Sequence, residues 1–325
     1  MDKKLLSDFT ARSARINELF KHDLFFICGA PKSGTTWFQR LLDSHPEIVC
    51  SGEGHFTEGL LAPFGNLIQQ YNKRQVIAAQ RVYEGNPYYH GLKAQDIEFL
   101  ARTMIGLIMS QRRIPEGTIC VGDKTPRYTL KMKMLSRVFP EARFINVIRD
   151  GRDVITSTCH HTYRAGHPSV IDKTRPEYFK ATQEIANVWI NNVNSAEQFG
   201  RDNPGKYHMV KYEDMLEYPE KTLASLLAFL NVSTDESVIS ECISKNEFKK
   251  LSGGRERGEE DKNSYFRVGT SGGWNEFLTP SALKNVYAIA GQTLCDLGYL
   301  DKESLSVSTQ NPEAKTRQKR QRQSG

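Results

Sequence analysis

The chain has 325 residues, of which 38% are hydrophobic and 25% are charged, as in an ordinary soluble globular protein. This length suffices for one large α/β domain or two small ones. The formal net charge is +6, but residues 311–325 carry five Lys/Arg and one Glu, which leaves +2 for residues 1–310. A nearly neutral body argues against a broad nucleic-acid surface, so no nucleic-acid partner is expected.

The cysteines and the N-terminus indicate the compartment. Six cysteines are scattered along the chain without C-x-x-C spacing, so the sequence predicts neither a metal site nor a redox pair. Cys28 and Cys120 lie in apolar runs and are expected to be buried thiols, which suits a reducing compartment. The first 20 residues are too polar for a signal peptide, and no apolar run reaches the length of a membrane span. We expect a cytoplasmic protein without stable membrane insertion.

Three segments are expected along the chain. Residues 1–22 have apolar positions that suit an amphipathic helix packed on the domain; these are Leu5, Phe9, Ile16, Leu19 and Phe20. Residues 23–300 form the main domain. Residues 301–325 are expected to be a basic, disordered tail, because their end is poor in apolar residues.

Apolar runs alternate with helical patterns along the main domain. Five strands are predicted at 23–30, 47–53, 118–126, 142–150 and 207–215. Helices are predicted at 34–45, 94–113, 130–140, from 151 onward, 182–200 and 219–231. Strands that alternate with helices favour an α/β single domain with a central parallel sheet flanked by helices.

The first unit of this pattern is a P-loop-like strand–loop–helix. Gly29 and Gly34 have the spacing of a Walker A loop, but Thr35 stands where that loop has its lysine, and the lysine comes earlier, at Lys32. The backbone N–H groups of such a loop and the following helix bind an anion, most naturally phosphate. Lys32 could reach the loop from the side and stabilise charge on a leaving oxygen.

Polar residues follow three of the predicted strands, in the segments 28–36, 121–126 and 147–151. Ligands of open parallel sheets bind beyond the carboxyl ends of the strands. We therefore expect the functional site at these three strand ends.

Five motifs, in order along residues 23–300, resemble those of sulfotransferases that use 3'-phosphoadenylyl sulfate (PAPS). The segment "PKSGTTW" resembles the 5'-phosphosulfate loop of that family, and "FINVIRDGRDVITS" resembles its 3'-phosphate segment. "KYEDM" and "NEFKKLSG" match segments whose aromatic residues lie near the adenosine, and "FRVGTSGGW" resembles the R-K-G-x-x-G-D-W signature. The resemblance implies a PAPS site formed by Lys32, Ser33, Gly34, Thr35, Thr36, Trp37, Arg149, Ser157, Tyr212, Phe248, Arg267 and Gly269.

The chain departs from the cytosolic members at three positions. Val268 replaces a lysine of the signature, so one phosphate contact is lost or supplied from elsewhere, and Gly273 replaces the Asp before Trp274. Pro126 stands where those members carry a catalytic histidine. The resulting K-T-P form resembles the carbohydrate and tyrosylprotein sulfotransferases, in which a glutamate acts as base.

The resemblance therefore implies Glu53, in "SGEGHF", as the base that accepts the acceptor's hydroxyl proton. His55 is the competing base, and Glu53 could instead only hold a lysine in place. Lys124, at the end of the third predicted strand, is the second expected charge-stabilising group beside Lys32.

The implied function is transfer of a sulfuryl group from PAPS to an acceptor hydroxyl, which yields a sulfate ester and adenosine 3',5'-bisphosphate without a metal. The first rival is a P-loop kinase or other NTPase that uses Mg-ATP, with Asp123 as a Walker B aspartate. The second is a non-catalytic nucleotide-binding module. The expected acceptor is a small-molecule hydroxyl compound, and the protein is a possible homodimer.

Overall fold

The computed structural model describes residues 2–86, 88–261, 264 and 267–309. Regular elements follow the alternation that the sequence predicts. In chain order they are α1 (Lys3–Leu19), β1 (Asp23–Gly29), α2 (Thr35–Asp43), β2 (Ile48–Gly52), α3 (Ala62–Val82), α4 (Ala94–Met109), β3 (Cys120–Lys124), α5 (Met132–Val138), β4 (Arg143–Ile148), α6 (Gly151–Arg164), α7 (Pro176–Asp202), β5 (Tyr207–Lys211), α8 (Tyr212–Glu217), α9 (Pro219–Leu230), α10 (Glu236–Lys245), α11 (Phe248–Leu251), α12 (Trp274–Phe277), α13 (Pro280–Asp296) and α14 (Lys302–Thr309).

The strands form one sheet in the order β2-β3-β1-β4-β5. The pairings of β1 with β3, β1 with β4 and β2 with β3 are parallel, which confirms the predicted α/β class with a central parallel sheet. In the register, Ile27 of β1 lies opposite Lys124 of β3 and Ile145 of β4. The ends of β3, β1 and β4 are therefore neighbours, as the prediction of the site requires.

The described residues form two compact units that interleave along the chain. The first consists of the described parts of Met1–Gly29, Gly34–Val147 and Ser195–Glu247. The second consists of Ala30–Ser33, Ile148–Asn194 and the described part of Phe248–Gly325. Each unit has its own hydrophobic clusters.

The first unit contains the sheet and a buried cluster on each of its faces. Strand β1 is buried along nearly its whole length, so its side chains alternate between the two clusters. Phe26 and Cys28 belong to one cluster, with Tyr128 of the 3₁₀ turn Pro126–Lys131, and Phe25 and Ile27 belong to the other. Burial on both faces explains why this strand is a continuous apolar run.

The second unit is helical. One of its clusters packs Trp189 against Val154 and Leu294, which lie on α7, α6 and α13. The other cluster includes Tyr178 and Phe277, whose rings meet edge to face. The tyrosine hydroxyl donates to the Phe277 carbonyl (3.0 Å), so the polar tip of this buried ring has a partner.

Helix α1 packs on the domain at its C-terminal end. Leu19 is fully buried, and Ile16 and Phe20 lie beside Gly106 of α4. Leu5 and Phe9 are instead 61% and 69% exposed, so the predicted packing of residues 1–22 does not extend along the whole helix. Amphipathic spacing predicts a helix, but not how much of it a neighbouring element covers.

Two other boundaries differ from the prediction. The last predicted strand ends at Lys211, and Tyr212 begins helix α8 instead of continuing the strand. Residues 302–309, predicted as the start of the disordered tail, form helix α14, because Leu305 packs against Gly291 of α13. Residues 310–325 lie outside the described residues. Within the described ranges, none of the helices has the length and apolarity needed to cross a bilayer.

The glycine before α2 is expected to tolerate no side chain. Gly34 has φ +91°, and a Cβ at this position would lie 2.6 Å from the ring of Tyr212. Gly34→Ala should lower the free energy of unfolding by about 2–4 kcal/mol, because backbone strain adds to overpacking. Gly205→Ala is the matched control, since Gly205 has φ +82° with nothing within 4 Å, and should lose only about 1 kcal/mol. Equal losses of both variants in urea unfolding would show that the contact with Tyr212 is unimportant.

Candidate active site

A lysine at the end of β3 is the centre of the polar cluster in the first unit. Lys124 Nζ contacts Glu53 Oε1 at 2.6 Å and donates to Thr36 Oγ1 at 3.1 Å. The Lys124 side chain is 3% exposed, whereas that of Glu53 is 45% exposed. The register explains the pairing, because Gly52 of β2 lies opposite Lys124, and Glu53 follows directly. A buried cation is thus shared by an accessible carboxylate and a hydroxyl at the start of α2.

The carboxylate of Glu53 contacts His55 as well as Lys124. Its Oε2 lies 3.4 Å from His55 Nε2, and His55 Nδ1 lies 3.0 Å from Glu58 Oε1. Both Glu53 and His55 have left-handed backbones, with φ of 55° and 48°. The structure brings both candidate bases together, and the choice between them stays a prediction.

Asp123 lies behind this cluster and is 2% exposed. Its carboxylate accepts hydrogen bonds from Gly54 N (3.0 Å), Thr125 Oγ1 (3.1 Å) and Tyr128 OH (2.7 Å). Three donors use most of its acceptor capacity, which argues against the Walker B alternative. The role of a metal-binding aspartate therefore has no support in this geometry.

Burial raises the pKa of Asp123, and its three donors and Lys124 counteract part of that effect. A folded pKa above the unfolded value stabilises the protein below the ordinary Asp range, and this contribution is lost as the pH rises through the folded pKa. We therefore expect the free energy of unfolding of the wild type, measured relative to that of Asp123→Asn, to fall between about pH 3.5 and pH 7. Urea midpoints over this range measure it, and a constant difference would contradict the raised pKa.

The start of α2 packs on the segment after β5. The Tyr212 ring covers Gly34 and lies 5.5 Å from the ring of Trp37, edge to face. Trp37 Nε1 donates to the carbonyl of Asn246 at 3.1 Å. Thr35 is buried, with its methyl group facing Gly29. These residues shape the beginning of the helix, and a contact of Tyr212 with adenosine stays a prediction.

The second unit contains Ala30–Ser33, the part of the P-loop-like loop that comes before Gly34 and α2. Lys32 has a left-handed backbone with φ 73°, and Ser33 N donates to the Ala30 carbonyl at 3.1 Å. The Ser33 side chain is completely buried, and its Oγ has no hydrogen-bond partner among the described residues. A buried hydroxyl without a partner is uncommon, and a bound ligand oxygen is one way to satisfy it.

Arg149 fixes the loop from the end of β4. Its Nη1 donates to the Lys32 carbonyl (3.4 Å), and its Nη2 donates to the Thr270 carbonyl (3.0 Å). Its own carbonyl accepts from Trp189 Nε1 at 3.1 Å. Ser157, the other predicted 3'-phosphate ligand, is half-buried two turns into α6. Their joint role in binding phosphate stays a prediction.

The R-V-G signature lies against the predicted adenine residue. A Cβ on Gly269, which has φ +73°, would lie 2.3 Å from the ring of Phe248, so only glycine fits there. The Arg255 guanidinium lies 5.7 Å from the centre of the same ring. Arg257 Nη1 lies 3.4 Å from the Gly269 carbonyl, so a cation approaches the segment in which Val268 replaces the lysine. Arg267 pairs with Glu260 at 2.5 Å.

Another carboxylate lies near position 273, where Gly273 replaces the aspartate of the family signature. Asp153 of α6 accepts from Gly272 N at 2.7 Å and from Trp274 N at 3.1 Å. Its Oδ1 would lie 4.0 Å from a Cβ at position 273, so a carboxylate is present near the missing Asp side chain. Asp153 was missed from the sequence, although it lies four residues after Arg149 on the first turn of α6 and has a side chain suited to a turn's amides.

The comparisons with known proteins agree with these motifs. The model described as "Sulfotransferase family" matches residues 25–236, which is well over half of the chain. The chain is 26% identical over 217 residues to protein-tyrosine sulfotransferase 1 of Danio rerio, covering 66% of this chain and 55% of the relative. It is 28% identical over 281 residues to protein-tyrosine sulfotransferase 1 of Homo sapiens, covering 85% and 69%.

The chain spans about half the length of the Danio rerio protein and of protein-tyrosine sulfotransferase 2 of Gallus gallus. Among solved structures, mouse sulfotransferase SULT7A1 complexed with PAP aligns over 90% of this chain and 91% of its own, with a TM-score of 0.49 and 17% identity. The extent of the family match is decisive: this chain belongs to the sulfotransferase family.

Proposed function

We propose that the chain transfers a sulfuryl group from PAPS to an acceptor hydroxyl by in-line displacement. The observation that carries the proposal is the contact of one buried cation, Lys124, with both Glu53 and Thr36. This arrangement combines a positive charge with a solvent-accessible carboxylate in the family's K-T-P context.

Each side chain has a distinct role in this chemistry. Glu53 accepts the hydroxyl proton as the acceptor oxygen forms a bond to sulfur and the bond from sulfur to the phosphate oxygen breaks. Lys124 and Thr36 stabilise negative charge, since transfer of a loosely bound sulfuryl group depends on positioned cations and donors more than on covalent chemistry. Lys32 is proposed to stabilise the leaving oxygen.

The second unit suits a nucleotide that carries a 3'-phosphate. Arg149 and Arg267 are guanidinium groups that can bind phosphate through two donors each. Ser33 presents a buried hydroxyl that a ligand oxygen can satisfy. The stacking of Phe248 on adenine is proposed from the resemblance, and the left-handed Gly269 under its ring supports a fixed ring position.

The rival functions have weaker support. A Mg-ATP kinase needs a lysine at position 35, which is a buried threonine, and a free acidic ligand, whereas Asp123 is occupied by three donors. A non-catalytic nucleotide-binding module would use Glu53 only to hold Lys124 in place, and the 45% exposure of the Glu53 side chain supports a role toward a bound acceptor instead.

The acceptor is proposed at the level of a hydroxyl group. The sequence predicts a small-molecule acceptor, whereas the relatives are named protein-tyrosine sulfotransferases, which favours the phenolic hydroxyl of a tyrosine as a second candidate. Cytoplasmic localisation and a homodimer stay proposals; the buried, free state of five of the six cysteines is compatible with a reducing compartment.

The test is a transfer assay with ³⁵S-labelled PAPS and three probe acceptors: a tyrosine-containing peptide, 4-nitrophenol and a primary alcohol. We expect labelled sulfate ester with at least one probe in the presence of EDTA. Hydrolysis or transfer from Mg-ATP under conditions in which PAPS is inert would instead support the kinase alternative.

A further inference from the structure

The turn that carries Glu53 is held from a single neighbouring segment. The four consecutive backbone N–H groups of residues 53–56 each donate to an acceptor within residues 123–128. In order, these acceptors are Lys124 O (2.7 Å), Asp123 Oδ2 (3.0 Å), Thr125 Oγ1 (3.4 Å) and Tyr128 OH (3.3 Å). The backbone of the turn is thus tied to β3 and to the 3₁₀ turn that follows it.

We call these four hydrogen bonds, from residues 53–56 to residues 123–128, the clamp. Asp123 is the acceptor on which its side-chain links converge. The hydroxyls of Thr125 and Tyr128 accept from the turn and donate onward to Asp123 Oδ1, at 3.1 Å and 2.7 Å. All three side-chain links therefore depend on one buried carboxylate that accepts every bond it makes. An amide at position 123 would direct a donor at groups that are already donors.

The turn needs such a clamp because its conformation is strained. Glu53 and His55 are both non-glycine residues in the left-handed region, a conformation that costs free energy unless the surroundings compensate. Nearly half of the Glu53 side chain is exposed, so packing alone does not fix it. Its position is set by the backbone below it and by the contact with Lys124.

We propose that Asp123 is a positioning residue for sulfuryl transfer, which acts by holding the turn that aims Glu53. The inference rests on the proposed function, and it assigns residues 123–128 a second role beyond supplying Lys124. Asp123 does not touch the reacting atoms, and its effect on the reaction passes through the Glu53 carboxylate.

The test is a double-mutant cycle with Glu53→Gln and Asp123→Asn. It uses labelled PAPS and whichever of the tyrosine-containing peptide and 4-nitrophenol gives the higher wild-type rate. Asp123→Asn should lower kcat by about 10–100-fold, because a small misplacement of a catalytic group has this effect, and should change KM for PAPS less than twofold. In the Glu53→Gln background the same substitution should lower kcat less than threefold.

An equal loss of kcat in both backgrounds would show that Asp123 acts only on general stability and would overturn the proposal. The matched control is Asp43→Asn, because Asp43 is also a carboxylate that accepts from a backbone amide of β2, Cys50 N at 2.8 Å, away from the turn. It should leave kcat within twofold of wild type. If Asp123→Asn does not fold, Tyr128→Phe replaces it in the cycle, since it removes one link of the clamp and retains the ring.

Amide hydrogen exchange tests whether the clamp holds the turn. Exchange at Gly54 and Phe56 should become at least tenfold faster in Tyr128→Phe and unchanged in Asp43→Asn. If the wild type transfers the sulfuryl group but the effects of Glu53→Gln and Asp123→Asn are additive, only the inference about Asp123 is refuted. Absence of transfer by wild type refutes the proposed function and, with it, the positioning role assigned to Asp123.

Discussion

Replacing Glu53 by glutamine should lower kcat for sulfuryl transfer by about 10²–10⁴-fold, the usual contribution of a general base. The amide retains the size of the carboxylate but cannot accept the acceptor's proton. Affinity for adenosine 3',5'-bisphosphate should stay within twofold of wild type, because Glu53 is assigned to the transfer step. Steady-state kinetics with labelled PAPS and calorimetry measure the two effects.

Glu58→Gln is the matched control for this substitution. Glu58 is a carboxylate of the same segment that contacts His55, and its exposed fraction resembles that of Glu53. Its substitution should change kcat less than threefold. If Glu53→Gln is active and His55→Gln is not, the base is His55 and the assignment of Glu53 is wrong.

Arg149→Ala is expected to weaken binding of adenosine 3',5'-bisphosphate by about 10–150-fold, the range for losing hydrogen bonds to a charged group. Binding of ADP, which lacks a 3'-phosphate, should be weak in both proteins and differ less than threefold between them. Isothermal titration with both nucleotides measures this difference.

Lys180→Ala controls for the loss of one positive charge, because Lys180 lies on α7 in the same unit and its side chain is 76% exposed. It should bind the bisphosphate like wild type. Arg149 also holds the carbonyls of Lys32 and Thr270, so urea unfolding of Arg149→Ala must show an intact fold. Equal losses for the bisphosphate and ADP would mean that Arg149 only shapes the loop.

The strands were predictable because their physical signal is local. All five predicted strands exist, and β1 is a continuous apolar run from Leu24 to Cys28 since both of its faces are buried. β4 is buried along nearly its whole length, although it includes the polar Asn146. Helices α10 and α13 were not predicted, although their buried positions recur at helical spacing. The start of α8 could not be placed, because Tyr212 has strand propensity and its helical state depends on packing against Gly34 and Trp37.

Individual candidate site residues could be proposed from the sequence, but their contacts could not. The family resemblance indicated Glu53, and a strand end indicated Lys124, whereas their ion pair depends on β2 lying next to β3, and strand order has no local signal. Asp123 shows the limit of motif reading. From the sequence, Asp123 was considered only as the Walker B aspartate of the kinase alternative, and only the three-dimensional structure reveals that Gly54, Thr125 and Tyr128 donate to it.

The central claim is that the chain is a PAPS-dependent sulfotransferase whose site recognises a 3'-phosphate. Calorimetric titration of the wild-type protein with adenosine 3',5'-bisphosphate and with ADP, both in EDTA, tests it most directly. The account predicts that the bisphosphate binds at least tenfold more tightly than ADP without any metal. Equal affinities, or binding of the adenine nucleotides only with Mg²⁺, would contradict it.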